Sequence, residues 1–240
     1  MKRLLEHKNR IIMWALYIAG SVFVIFMFGV VGDYMFSCLN TARYHYAHLA
    51  GGGYPIGSCV TVSSPSKAID GHDYANLGLS VKWATCNMGA SSPEDKGDWY
   101  RWAETLPMRS GHIFRGYNDR PESLGNITGN IEYDAARANW GENWRMPTNK
   151  EWIELIIMCY WKWCTLNDVP GYKVTSKLNG KSIFLPATFS ADGCINNYGI
   201  YADYWSSIRG SYLYFEGGGC RFINDDNSYD NGRTIRPVTD

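Results

Sequence analysis

From Ile11 to Gly32 the chain reads IIMWALYIAGSVFVIFMFGVVG and carries no charged residue. As a helix this run rises roughly 30 Å, the hydrocarbon thickness of a bilayer, so a transmembrane helix over 11–32 is expected. A helix buried in a protein core would show polar positions on one face. Lys2, Arg3, Lys8 and Arg10 precede the run, opposed only by Glu6, and Asp33 follows it. By the positive-inside rule, residues 1–10 are then cytoplasmic and the rest lies outside, in the periplasm or at the cell surface. A cleaved signal peptide is the rival reading. Its apolar region spans about 7–15 residues and precedes a small-x-small site, and neither condition fits well. Phe36-Ser37-Cys38 is a poor lipoprotein acylation site, because Asp33 and Tyr34 interrupt the apolar run and Met35 and Phe36 are bulky. Lipidation of Cys38 is thus the weaker alternative, and it too leaves the chain tethered outside.

Residues 33–69 read as a juxtamembrane segment and a linker. Gly51-Gly52-Gly53, Pro55, Gly57 and Ser63-Ser64-Pro65-Ser66 are too dense in Gly, Ser and Pro to bury a core. The folded domain is expected over 70–240, a comfortable size for one domain. With 23 basic and 23 acidic side chains in the whole chain, nothing suggests the basic face of a nucleic-acid binder. The unusual feature is 10 Trp and 17 Tyr, residues that favour strands and supply amphipathic surface.

Leu77–Thr85 and Asp98–Ala103 read as early strands, and 109–130 as a long polar loop. Tyr133–Asn139 is a short helix candidate. The best helix begins after Thr148, where Thr148 and Glu151 form a capping box and Trp152, Leu155, Ile156 and Cys159 recur at helical spacing. It is expected to end between Cys159 and Trp161. Asn179-Gly180, between Tyr172–Ser176 and Ser182–Leu185, predicts a type I′ hairpin. Tyr201–Trp205, Tyr212–Phe215 and Thr234–Val238 complete an α+β reading.

These segments carry a resemblance. Leu77-Gly-Leu-Ser-Val-Lys-Trp-Ala-Thr-Cys-Asn-Met-Gly-Ala, Trp144-Arg-Met-Pro-Thr, Gly171-Tyr-Lys-Val-Thr-Ser through Ile183-Phe-Leu-Pro-Ala, Tyr204-Trp-Ser-Ser and Arg236-Pro-Val occur in this order. Together they resemble the Fibrobacter succinogenes major paralogous domain family over about residues 74 to 238. The resemblance implies a C-type-lectin-like fold, related in architecture to formylglycine-generating enzymes, with Ser80–Thr85 pairing with Thr234–Val238. It extends to surface proteins of Bacteroidota, including variable proteins diversified by retroelements, in which the last third of the domain forms the ligand face. Fold alone does not fix function.

Between Asp192 and Asn231 the chain is dense in Tyr, Asn, Asp, Ser and Gly. Paratopes use this palette, and so do β-turns. Composition alone favours turns, and the resemblance tips the balance toward binding. Asp203, Arg209, Glu216, Arg221, Asn224, Asp226 and Asn227 are the expected contacts, as side chains with little reason to be buried. Trp205, Ser206 and Ser207 match the family's repeated motif and read as framework. Cys86 and Cys159 both lie in family-like segments, which favours their pairing as a disulfide. Cys59 and Cys164 have no obvious partners, Cys194 and Cys220 lie in the presumed variable stretch, and the odd total of 7 leaves at least one thiol over.

No H-E-x-x-H, G-x-S-x-G or P-loop pattern occurs. His72 beside Asp73 reads as a solvated loop rather than a catalytic pair. The separated Cys194 and Cys220 do not support formylglycine-generating chemistry, and the sugar-binding motifs of calcium-dependent lectins are missing. Asp225, Asp226 and Asp230 read as a solvated acidic turn rather than a Ca²⁺ site. The sequence therefore points to a membrane-anchored binding protein, not an enzyme, without cofactor or metal, taking an extracellular protein or glycan. The alternative is a structural subunit of an envelope or surface assembly.

Overall fold

The structure, a computed structural model, describes residues 58–59, 68–108, 124–188, 201–217, 219–224 and 231–240. All belong to one of two compact units, Gly53–Asp240. The expected anchor at 11–32 and Cys38 lie outside the described residues. Among the described residues, no helix is long and apolar enough to cross a membrane.

Among the described residues, two helices and three small antiparallel sheets make an α+β domain. The first sheet joins β1 (Tyr74–Ala75), β2 (Lys82–Ala84) and β9 (Val238–Thr239). Its register pairs Trp83 with Val238, so the beginning and end of the domain meet as the resemblance implied. The strands are shorter than expected. At 77–81 the backbone turns instead of pairing: Gly78 has φ +74, its N–H bonds to the Asn76 side chain, and the Ser80 N–H bonds to Glu154. The strand expected at Asp98–Ala103 is not formed either. Tyr100 makes a single bridge to Arg233, the Asp98 N–H goes to Met88 O, and Ala103 takes a left-handed φ of 63°.

Helix α1 (Ala135–Trp140) is capped by Asp134, whose buried carboxylate also accepts from the N–H groups of Gly129 and Met146. Burial raises its pKa, against the lowering pull of those backbone bonds. Helix α2 (Asn149–Met158) starts at the expected capping box, with Thr148 N–H donating to Glu151 at 2.7 Å. Glu151 also holds Arg145, which reaches on to Asp240.

α2 stops at Met158, and β3 (Cys159–Leu166) follows directly where the helix was expected to continue. The residues CYWKWCTL alternate, so Cys159, Trp161 and Trp163 pack on the core while Tyr160 and Lys162 face out. β3 pairs with β4 (Val169–Ser176), which pairs with β5 (Ser182–Pro186). The two-residue turn of positive φ lies at Asn167 (47°) and Asp168 (64°), between β3 and β4. That is the primed geometry, matched to strand twist, that had been expected at Asn179-Gly180. There only Gly180 is left-handed, and the longer turn is tied down by Ser176 Oγ and by a Lys177 N–H bond to Met158 O.

The third sheet runs β6 (Tyr201–Trp205), β7 (Ser211–Glu216) and β8 (Gly219–Asn224), the last of these unforeseen. The main core lies between the sheets and α2, with Trp83, Trp152, Tyr204 and Phe215 at its centre. Fully buried Arg236 links the elements around it, donating to the carbonyls of Ala84, Thr85 and Phe184 and to Asn87 Oδ1.

Candidate binding face

Alternation along β6 and β7 divides the third sheet into two faces. Ala202, Tyr204, Leu213 and Phe215 enter the main core. Tyr201, Asp203 and Trp205 point the other way, opposite Glu216, Tyr214 and Tyr212 respectively, and Arg221 extends that face on β8. The two ends of this second face differ.

At one end it is covered. Trp205 and Tyr212 join a second cluster with Met88, Tyr100, Trp102 and Ile127. Arg233 lies across them, its guanidinium carbon 4.2 Å from the Trp205 ring centroid and 3.8 Å from that of Tyr212. Asp203 accepts the charge at 3.3 Å. Asp203 was expected as an exposed contact, but it is 7% exposed and pairs with an Arg233 that is 2% exposed. The reason is parity: Asp203 shares the face of Trp205, and the second cluster closes over both.

The other end is partly open to solvent, although Tyr214 also packs against the edge of the second cluster. Tyr201 and Tyr214 stack with ring centroids 6.1 Å apart and planes 22° from parallel. The Arg221 guanidinium lies over the Tyr214 ring at 4.8 Å, and the Tyr214 hydroxyl donates to Glu216 at 2.8 Å. Arg221 is exposed, and Tyr201, Tyr214 and Glu216 are half-buried. The result is a stack of two phenol rings edged by one cation and one carboxylate, with polar tips and broad apolar faces. Such a surface can lie against a sugar ring or a peptide side chain while its charged groups fix orientation.

The remaining expected contacts are scattered. Asn224 is exposed at the opposite end of β8, where its side-chain carbonyl accepts from Ser211 Oγ at 3.4 Å. Arg209 is half-buried in the β6–β7 turn, its N–H bonded to Gly125 O at 3.0 Å. Asp226 and Asn227 lie outside the described residues. The structure thus brings together Glu216 and Arg221, and it adds Tyr201 and Tyr214, which had not been singled out as contacts. Their signal was the alternation YxDxW and YxYxE, which puts these tyrosines on one face once the hairpin register is known.

Trp205, Ser206 and Ser207 are fully buried. Trp205 Nε1 donates to Tyr100 O at 2.7 Å, and Ser206 Oγ donates to Asn149 Oδ1 at 2.6 Å, the second bond tying the end of β6 to the start of α2.

Among the described residues, a disulfide joins Cys59 to Cys164, with Cα atoms 5.6 Å apart. Cys86 and Cys159, expected to pair, are free. Cys159 points into the core with Trp152 and Leu155, whereas Cys164 faces the other side of β3, where the Cys59 N–H bonds to Thr165 O at 2.7 Å. Residues assigned to the linker are therefore stapled to the domain.

His72 is half-buried between exposed Gly71 and Asp73: it stacks on Trp140 at 3.7 Å, and burial lowers its pKa despite Asp70 and Asp73. Among the described residues, no group of three or more His, Cys, Asp or Glu is arranged to hold a metal ion.

No protein-family model matches this chain, and no curated protein or solved structure matches it either.

Proposed function

We propose that this chain is a membrane-anchored display protein whose outer domain binds an extracellular protein or glycan through the open end of the β6–β8 face. The observation that carries the reading is the cluster of Tyr201, Tyr214, Glu216 and Arg221, held on three paired strands. A rigid scaffold presenting aromatic side chains with few rotatable bonds loses little entropy on binding. The C-type-lectin-like family resemblance supports the same reading through the pairing of β2 with β9 and through the buried Trp205-Ser-Ser motif. The uncharged run 11–32 supports the anchor.

The test is binding of the full chain, reconstituted in nanodiscs, to glycan and host-protein arrays. Wild type is compared with a Tyr214→Ala/Arg221→Ala variant whose fold is checked by circular dichroism. Specific signal that the variant loses is the expected result. Signal that survives the substitutions, or none on either array, overturns the assignment and favours a structural subunit of a surface assembly.

A further inference from the structure

One edge of β3 is left unfinished by the fold. On one side β3 pairs with β4 along its whole length; on the other, among the described residues, only Ser58 bridges to it, at Thr165. The Cys59 N–H donates to Thr165 O at 2.7 Å, so the backbone groups of Thr165 point away from β4. Its neighbour on β4 is Pro170, which has no N–H to offer. Backbone groups alternate in direction along an antiparallel strand, so the N–H and C=O of Trp161 and Trp163 also point outward. Among the described residues, nothing bonds to them.

Unpaired strand edges recruit further strands, and Ser58 already joins this one at its far end. The side chains along the edge decide what fits. Trp161 and Trp163 are half-buried at the rim of the core, whereas Tyr160 and Lys162 are exposed on the opposite face. Tyr160 is 66% exposed, with the Lys177 ammonium 5.3 Å from its ring centre.

A second copy of β3 can run antiparallel along this edge about a two-fold axis. Three registers pair both tryptophans with residues of β3. A register centred on Trp163 needs the Thr165 carbonyl that Cys59 already occupies. One centred on Lys162 sets that lysine against its own copy, and like charges directly opposite destabilise a strand pair. The register centred on Trp161 sets Trp161 against Trp161, Trp163 against Cys159, and Lys162 against Tyr160 of the second copy. There the tryptophans form a cross-strand aromatic pair, and each lysine meets an exposed aromatic ring. Only this register is complementary to itself.

We infer that β3 pairs antiparallel with β3 of a second copy of this chain, in the register centred on Trp161. Two sheets of three strands then become one of six. The interface lies on β3 and leaves the β6–β8 sheet as it is.

Disulfide cross-linking of the full chain in detergent micelles tests it. A Tyr160→Cys chain is mixed with a Lys162→Cys chain and oxidised with copper phenanthroline, and cross-linked peptides are identified by mass spectrometry. The mixture should join position 160 of one copy to position 162 of the other, several-fold above either variant alone or wild type. No excess in the mixture overturns the pairing, and equal cross-linking of Lys162→Cys to itself overturns the register. Wild type supplies a second measurement should a variant misfold. Hydrogen exchange of peptides covering 159–166 should slow several-fold as protein concentration rises, while peptides of β6–β8 stay constant. Exchange of 159–166 that ignores concentration, or slows only when a different protein is added, overturns the second copy as partner.

Discussion

Asp203 and Arg233 form an ion pair at 3.3 Å beneath the second aromatic cluster, with Arg233 stacked on Tyr212 at 3.8 Å. The pair joins β6 to the segment leading into the last strand. Removing one member of a buried pair leaves the other charge in a poorly solvated site, a loss of about 3–5 kcal/mol. Asp203→Ala should therefore lower the urea midpoint sharply, and Arg221→Ala should barely move it. Equal midpoints for the two variants would show that Asp203 is not structurally buried.

The open end of the same sheet should behave in the opposite way. Arg221 on Tyr214 is an exposed cation–π contact, contributing about 0.5–1 kcal/mol to stability. Arg221→Ala and Glu216→Ala should each leave the thermal midpoint close to wild type. Each should weaken the affinity for a ligand found on the arrays at least about tenfold, or about 1.4 kcal/mol, by calorimetry.

The disulfide closes a long loop, since Cys59 and Cys164 are 105 positions apart in the sequence. Removing a native bridge of this kind costs about 2–5 kcal/mol. The Cys59→Ser/Cys164→Ser variant should unfold at lower denaturant than wild type, and reductant should move wild type toward the variant without moving the variant further. A Cys86→Ser/Cys159→Ser variant should still respond to reductant. Loss of that response would restore the Cys86–Cys159 pairing.

Burial pushes the thiols of Cys159 and Cys220 up to about 11 and about 12, and the Tyr204 phenol up to about 12. In the folded chain these groups hold their protons more tightly than in the unfolded chain. Their stabilising contribution is complete below the ordinary thiol pKa of about 8.5 and is lost as pH rises through the folded values. His72 has the opposite sign, with a folded pKa below its ordinary value. Its contribution is present above about pH 6.5 and is lost as pH falls. Stability should therefore be greatest from about pH 7 to 8, decline on both sides, and decline less on the alkaline side in a Cys220→Ala variant.

Features set by neighbours along the chain were legible in the sequence. The start of α2 is one: Thr148 and Glu151 bond to each other's backbone within four consecutive residues, so no distant group is needed. β6 and β7 were legible for a related reason, since alternation of Tyr, Trp and Phe makes an extended chain the conformation that buries them. Features that depend on distant residues were not legible. α2 ends at Met158 because Cys159 pairs with Ser176, and helical spacing cannot register a strand that has not yet been reached. The primed turn settled on Asn167-Asp168 because β3 extends that far, while Asn179-Gly180 became a wider turn tied to the end of α2.

The candidate site divides along the same line. Sequence alone determined that β6 and β7 would be amphipathic strands rich in tyrosine, with acidic and basic side chains among them. Which of those side chains met solvent was decided by tertiary structure. Asp203 and Tyr201 are two positions apart on one strand face, but the second cluster and Arg233 cover the first and leave the second at the open end. The physical reason is that alternation assigns residues to a face, whereas burial depends on what the rest of the chain brings against that face.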